Sequence, residues 1–467
     1  MRSPVRTIAI IGGGFSGTVL AAALLRRPPA QSCRIVLIER REQVGRGVAY
    51  RQSPQQPLLN VPAGRMSVDP DDALQFVRFA QRRDPGCDAQ QFLPRELYGE
   101  YLQDVLQQAL DAAPSHVSLQ RIHGDAVAMQ RIDSAGPYLV GLADGQHVLA
   151  DQVILACGDP PPAHPSAAVD AADHPACHCD PHSDQALRGE CQRLLLIGTG
   201  LTMADVAIAA ATLNPDIRID AISRHGLLPA AQTMASGPAA GFAAPDRPFR
   251  SYLGDAPFGA RALLRAFREL LRDLASAGGD WRDAVNAARQ DAPALWRSLP
   301  TDERARFLRH LRVYWDIHRH RMPPAIGERL DQLQRCGQLR IHAGHIERIE
   351  AAGDQLQVRW RPRGEHTRSA LVVDRVINCA GADRRLARTR DPLVQQLLAA
   401  GLAVADPLGL GWRTGAHGAL IGHDGHAANH LFYLGPMLRA EHWEATAVGE
   451  LRVHAQRLAA VLAQVSA

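Results

Sequence analysis

TIAIIGGGFSGTVL, residues 7 to 20, decides the fold. Ile8 to Ile11 form a short apolar run that reads as a buried parallel strand, and Gly12, Gly14 and Gly17 follow at the GxGxxG spacing ahead of an Ala/Leu-rich helix. Each glycine has a steric role: Gly12 for the tight strand-to-helix turn, Gly14 for close approach of a pyrophosphate to the backbone, and Gly17 for close packing of helix on strand. The helix N-terminus supplies unpaired N–H groups and a partial positive charge to the phosphates. A second apolar strand, Arg34 to Ile38, ends in Glu39, where a carboxylate can accept hydrogen bonds from a ribose.

The pattern recurs at Leu194 to Asp205, LLLIGTGLTMAD. Gly198 and Gly200 stand after the strand, the third glycine is replaced within Leu201-Thr202-Met203, and Asp205 follows inside the helix. The next strand, Arg218 to Ile222, ends in Ser223-Arg224-His225 in place of an acid, which suits a 2′-phosphate better than a free 2′-hydroxyl. NADPH is therefore favoured over NADH at this second site. The expected fold class is α/β, with two Rossmann-like dinucleotide-binding domains and a helical insertion.

Composition fits a large enzyme. A chain of 467 residues can build two or three domains with substantial cores. With 52 basic and 48 acidic residues the formal charge is only +4 and no dense basic block occurs, so neither nucleic acid nor an anionic membrane is expected as a partner. Arg2 and Arg6 precede an apolar stretch as in a signal peptide, but Gly12 to Gly17 interrupt it. No apolar run has the length to span a bilayer. Eight scattered cysteines without paired spacings make reduced thiols in the cytoplasm the default expectation. His174, Cys177, His178, Cys179 and His182 have metal-ligand chemistry but no ordered spacing, and read as a polar connector with no metal. Nothing in the sequence sets an oligomeric state.

Between the two fingerprints lie a polar excursion from Gly45 to Asp88, a helix over Glu96 to Ala112 and a strand pattern from His147 to Cys157. From Pro257 to Leu339 the pattern is helical and Arg-rich, too long for a loop, and reads as an insertion capping a cleft. Within it Thr301 can cap a helix, and Phe307, Leu308, Leu311, Tyr314, Trp315 and His318 recur on one face, with Arg321 a turn further on. His318 and Arg321 are the candidate catalytic pair for an anionic planar substrate; the competing reading is a satisfied core histidine and an interdomain arginine. Asp316 and His320 read as a solvent-facing pair.

GRGVAY (Gly45 to Tyr50), LNVPAGRMSVDP (Leu59 to Pro70), FLPRELYGEYL (Phe92 to Leu102), WDIHRHR (Trp315 to Arg321) and LGPMLRAEHWEATAVGELRVHA (Leu434 to Ala455) resemble a bacterial family of FAD/NAD(P)-binding proteins. The wider group is similar to class B flavin monooxygenases, among them FAD-dependent urate hydroxylases and amino-acid N-hydroxylases. The resemblance implies that Gly12, Gly14, Gly17 and Glu39 hold the ADP half of FAD, that Arg95 lies near its phosphates, and that Asn60 and Met66 sit beside the isoalloxazine. It implies that Gly435-Pro436 and the helix after it face the pyrimidine end of the flavin. Arg65 is divided among flavin, substrate and structural roles.

Strand-like runs Val153 to Gly158 and Val376 to Gly381 resemble the crossings between flavin and nicotinamide domains in two-dinucleotide flavoproteins. The expected division is 1–165 as the first part of the FAD domain, 186–256 as the NAD(P)H domain, 257–340 as the helical insertion, and 341–467 returning to both. The chain lacks a C-x₄-C redox pair, which disfavours disulfide reduction, and carries Gly-Pro-Met where many relatives of the broader fold have Gly-Asp. The implied chemistry is monooxygenation: NADPH delivers hydride to FAD, dioxygen adds at the flavin C4a carbon, and one oxygen passes to a small bound nucleophile. Urate 5-hydroxylation is the leading expectation and N-hydroxylation of an amino acid or amine the alternative. A flavin dehydrogenase or quinone-type reductase, or a redox-sensing FAD carrier, completes the field.

Overall fold

The structure is a computed structural model that describes residues 5–53, 56–133, 136–183, 185–233, 247–254 and 258–464. The chain opens with β1 (Arg6–Ile11), α1 (Phe15–Arg26) and β2 (Cys33–Glu39), then α2 (Gln75–Gln81), α3 (Arg95–Asp111) and β3 (Val117–His123). Strands β4 (Ala126–Arg131), β5 (Tyr138–Leu142), β6 (His147–Ala150) and β7 (Gln152–Leu155) follow. After β8 (Cys177–His178), the second fingerprint lies in β9 (Arg193–Ile197) and α4 (Leu201–Leu213), followed by β10 (Arg218–Ser223). Helices α5 (Ala260–Ser276), α6 (Trp281–Ser298), α7 (Thr301–His310), α8 (Arg312–Arg319) and α9 (Pro324–Arg335) come next. The chain returns through β11 (Leu339–Ala352), β12 (Gln355–Pro362), β13 (Ser369–Val373) and β14 (Arg375–Asn378), and closes with α10 (Pro392–Ala399), β15 (Ala419–Ile421), β16 (Ala427–Tyr433) and α11 (Val448–Gln464).

These elements fall into two units, one of residues 1–160, 288–300 and 384–467, the other of 161–287 and 301–383. In the first unit a six-stranded sheet has the order β15-β16-β7-β1-β2-β3. All its pairs are parallel except β15 with β16. Such a sheet is buried on both faces, and β1 shows it: all six residues are buried, with no alternation of polar and apolar positions. Helices α1, α3 and α11 contribute Leu20, Leu24, Tyr98, Leu102, Leu458 and Leu462 to its core. Each fully buried aliphatic side chain contributes about 1.5–3 kcal/mol relative to exposure. An antiparallel sheet of β4, β5 and β6 is the unit's second layer of strands. The run expected as one strand from His147 to Cys157 is two, β6 and β7, because Asp151 leaves the ladder and accepts a hydrogen bond from Thr7 N–H at 2.7 Å.

The second unit holds a seven-stranded sheet of order β13-β12-β11-β10-β9-β14-β8. Its centre is parallel, and α4 and α9 bury Met203, Ala207, Leu330 and Leu333 against it. The 14-residue β11 does two jobs: its first part pairs parallel with β10 up to Ala343, and from Gly344 on it pairs antiparallel with β12. Cys177 and His178 of the expected connector form the edge strand β8. Among the described residues no cluster of three or more His, Cys, Asp or Glu is arranged to hold a metal, and no helix is long and apolar enough to cross a membrane.

The stretch from Gly45 to Asp88 is less polar in space than in sequence. Met66, Val68, Phe76 and Phe79 are buried there, drawn in by the tyrosines of α3. Tyr98 packs edge-on against Phe76 at 5.0 Å and Tyr50 at 4.8 Å, and Tyr101 lies 5.0 Å from Phe76.

Candidate functional site: two glycine cradles

In the first cradle, Gly12 turns the chain out of β1 at φ 106°, a conformation that favours glycine, and its N–H donates to Ile38 O at 2.8 Å. A Cβ on Gly12 would collide with the carbonyl of Ala156, just past β7, and a Cβ on Gly17 with the Gly12 carbonyl. Helix α1 starts at an N-cap glycine, Gly14, with no side chain capping it, so its first-turn N–H groups keep their capacity for an anion. Glu39, the last residue of β2, is 6% exposed; Oε2 accepts from Gly13 N–H at 2.6 Å and Oε1 from Arg41 N–H at 3.0 Å. These bonds aim the carboxylate across the cradle mouth.

Sequence reasoning missed Arg46. It sits between Gly45, whose N–H donates to Gly13 O at 2.7 Å, and Gly47, whose backbone packs on Gly14. The side chain is 8% exposed and Nη2 reaches Glu100 only at 3.9 Å, while Nε and Nη1 are buried without a hydrogen-bond partner. A buried guanidinium with orphaned donors beside an uncapped helix start fits a pyrophosphate. The available signal was the arginine between two glycines in GRGVAY, a few residues past the ribose carboxylate.

The loop with Asn60, Arg65 and Met66 is held from α3. Arg95 donates from Nε to Leu58 O at 3.0 Å, Tyr98 donates to Met66 O at 2.8 Å, and Tyr101 OH accepts from Val68 N–H at 2.9 Å. Burial pushes the Tyr50 phenol up to about 12 and the Tyr98 and Tyr101 phenols well above their ordinary range, so all three stay protonated. Arg95 thus braces the loop that presents Asn60 and Met66. Met66 is buried, Asn60 half-buried and Arg65 exposed. The Arg65 guanidinium is held below its usual range by partial burial and by the like charge of Arg289.

Gly435 has φ 157°, and a Cβ there would crowd the hydroxyl of Tyr433 at 2.6 Å. That hydroxyl donates to Gly158 O at 3.1 Å and accepts from Met437 N–H at 3.2 Å. The helix expected directly after Gly435 is a five-residue 3₁₀ turn, Pro436–Ala440; the long helix α11 begins only at Val448. So short a turn sums few peptide dipoles, and charge stabilisation from a helix terminus is correspondingly reduced there.

The second cradle repeats the glycine turn of the first. Gly198 has φ 99°, its N–H donates to Ile222 O at 2.8 Å, and a Cβ on it would lie 2.9 Å from the Cys379 carbonyl at the end of β14. Gly200 is the uncapped N-cap of α4. At the end of β10, Ser223 Oγ lies 2.8 Å from Thr199 Oγ1 and accepts from Gly226 N–H at 2.9 Å. Ser223 therefore takes the place of Glu39 without its charge. Arg224 is exposed beside it.

Residues 9–160 match the model of the FAD-NAD(P)-binding family. No curated protein matches the chain by sequence. The likeness in fold extends beyond residues 9–160, because solved structures superpose on nearly the whole chain. Ornithine hydroxylase from Pseudomonas aeruginosa, in its reduced form, aligns over 99% of both chains with 17% identity and a TM-score of 0.66. L-lysine 6-monooxygenase from Pseudomonas syringae aligns over 97% of this chain and 98% of its own, with 14% identity and a TM-score of 0.65. The FAD-bound cadaverine monooxygenase of desferrioxamine biosynthesis from Erwinia amylovora covers 98% of this chain and 95% of its own, with 11% identity and a TM-score of 0.64. The fold is thus the α/β architecture with two Rossmann-like dinucleotide-binding domains. Urate hydroxylation finds no counterpart among these structures.

Beyond the FAD-NAD(P)-binding region, the helical insertion departs from its sequence reading. The single face expected from Phe307 to His318 is interrupted at Leu311, which separates α7 from α8, and neither helix has a buried residue. Tyr314 is 47% exposed. His318 donates from Nδ1–H to the Tyr314 carbonyl at 2.7 Å and stands edge-on to Trp281 at 4.9 Å. Arg321 is 7% exposed, donates to Asn286 Oδ1 at 2.9 Å and lies 5.7 Å from the Trp281 ring. His318 and Arg321 do share one neighbour, Trp281, which sequence reasoning did not name. Asp316 pairs with Arg312 at 3.1 Å and with His320 at 3.9 Å, all partly exposed.

Proposed function

We propose that the protein is an FAD-dependent, NADPH-consuming monooxygenase that N-hydroxylates a small amine, with dioxygen as co-substrate. The observation that carries this reading is the opposite chemistry at the ends of two otherwise matching cradles: a buried carboxylate at Glu39, and Ser223-Arg224 at the second. A carboxylate accepts from ribose hydroxyls and repels a 2′-phosphate, whereas a neutral hydroxyl beside a guanidinium admits one. FAD belongs to the first cradle and NADPH to the second. Gly12, Gly14, Gly17, Glu39 and Arg46 would hold the ADP half of FAD, with Asn60, Met66 and Gly435 toward the flavin ring; Gly198, Gly200, Ser223 and Arg224 would hold the nicotinamide nucleotide.

When bound, FAD supplies hydride acceptance and oxygen activation. The chain supplies binding and orientation: glycine backbones at the phosphates, Arg46 against their charge, and a loop fixed by Tyr98 and Tyr101. Net reaction consumes NADPH, dioxygen, a proton and the amine, and yields the hydroxylamine, NADP⁺ and water. Amine substrates are favoured over urate because the superposed enzymes are named for ornithine, lysine and cadaverine.

Reductase chemistry through a dithiol is disfavoured by the thiols themselves. All eight cysteines are free, and burial pushes Cys157 up to about 12 and Cys379 well above the ordinary thiol range. The test is NADPH oxidation and oxygen uptake by the purified yellow protein with ornithine, lysine, cadaverine and urate, with hydroxylamine assayed in each mixture. Substrate-stimulated oxygen uptake with a hydroxylamine product is expected from one of the amines. Uptake stimulated by urate alone, or NADPH oxidation passed to a quinone without oxygen insertion, overturns the proposal.

A further inference from the structure

We infer that the adenosine 2′-phosphate end of NADPH is gripped by a clamp drawn from three separate elements: Arg224 and His225 after β10, Arg363 after β12, and Tyr314 on α8. This rests on the assignment of NADPH to the second cradle and adds residues that the fingerprint does not contain. Arg363 Nη1 lies 2.9 Å from His225 Nδ1, and the Arg363 backbone N–H donates to Ala343 O at 2.9 Å, which fixes the turn after β12 against the β10–β11 pair. The His225 ring lies 6.3 Å from the Tyr314 ring, tilted 56°.

The geometry assigns each group a role. His225 accepts through Nδ1 from Arg363, which makes it the neutral tautomer with Nε2 as donor, and burial together with the charges of Arg363 and Arg224 holds its pKa below the usual value. Through that bond the Arg363 guanidinium is held at the end of β10, beside exposed Arg224, where a bound dinucleotide places its ribose 2′ position. Repulsion between Arg363 and Arg224 across the imidazole is relieved when a phosphate dianion joins them. Tyr314 has no place in a hydrophobic core, since it is 47% exposed on a helix with no buried residue. Its ring is available to stack on adenine at the rim of the cluster. His225 is a positioning residue here, because it acts on the phosphate through Arg363.

The test is calorimetric titration of the flavin-loaded protein with 2′,5′-ADP and, separately, 5′-AMP, which measures the clamp without turnover. Wild-type protein is expected to bind 2′,5′-ADP at least about tenfold more tightly than 5′-AMP. Arg363→Ala should lower 2′,5′-ADP affinity about tenfold and leave 5′-AMP unchanged, with Arg363→Lys between the two. Tyr314→Ala should weaken both ligands by the same factor, and Tyr314→Phe should weaken neither. A 2′,5′-ADP to 5′-AMP ratio that survives Arg363→Ala, or a Tyr314→Ala protein with unchanged affinities, overturns the clamp while leaving NADPH at the second cradle. Wild-type protein with no preference for 2′,5′-ADP overturns the NADPH assignment itself, and the clamp with it.

Discussion

Gly17 and Met203 occupy the same position in two cradles whose first-glycine turns coincide, yet a Cβ at the first collides with a backbone carbonyl and a whole methionine side chain is buried at the second. The third glycine of the fingerprint therefore reports how closely a helix presses on its strand turn. The first glycine is different: Gly12 and Gly198 both have positive φ and both face the end of a crossing strand, so neither cradle tolerates a side chain there. The cradles differ most at the strand end, to which the proposed function assigns ligand choice, where Glu39 and Ser223 each bond the residue after the first glycine.

Exchanging the third position gives the largest expected effect. Gly17→Met drives a side chain into the Gly12 carbonyl and should abolish stoichiometric FAD, read as loss of visible absorbance in purified protein. Met203→Gly empties a fully buried site and removes helix propensity. It should cost about 3 kcal/mol or more in denaturant unfolding while leaving FAD content intact. If both exchanges were harmless, the two cradles would not differ in the way described. Ser223→Glu installs the first cradle's carboxylate in the second. It should lower kcat/KM for NADPH by about tenfold to a hundredfold relative to NADH.

Arg46→Ala sharpens the comparison from the other side, since no equivalent buried arginine was read from the second fingerprint. Loss of charge-assisted bonds should raise the Kd for FAD by about tenfold or more, measured by reconstitution of flavin-free protein. Thermal stability of the flavin-free variant should fall little, because Nε and Nη1 have no partner to lose and Nη2 meets Glu100 only at 3.9 Å. Least in effect are the thiols at the two crossings. Iodoacetamide at pH 8 should label exposed Cys336 and spare Cys157 and Cys379, by mass spectrometry of digested protein. Rapid labelling of Cys157 or Cys379 would revive reductase chemistry.

The fold was legible where local sterics dictate the sequence. Strand, glycine turn and helix leave one pattern, and both copies appear within a residue or two of their expected bounds. The strand-end residues were legible for the same reason, being placed by register from the glycines. What sequence could not show were contacts across long separations: Arg46 against Glu100, Arg363 against His225, Trp281 between His318 and Arg321. The face from Phe307 to His318 misled because helical spacing continues through Leu311, while the helices do not, and spacing alone cannot tell a buried stripe from an exposed one. The Gly45 to Asp88 stretch misled in the opposite sense, since its few apolar residues are buried by tyrosines more than twenty positions away.

A crystal structure of the protein grown with FAD and NADP⁺ tests the central claim most directly. The account predicts the FAD pyrophosphate over Gly12 to Gly17 with the ribose on Glu39, and the NADP⁺ pyrophosphate over Gly198 to Met203 with its 2′-phosphate beside Arg224. Density for FAD at the second cradle, or for NADP⁺ at the first, would contradict it.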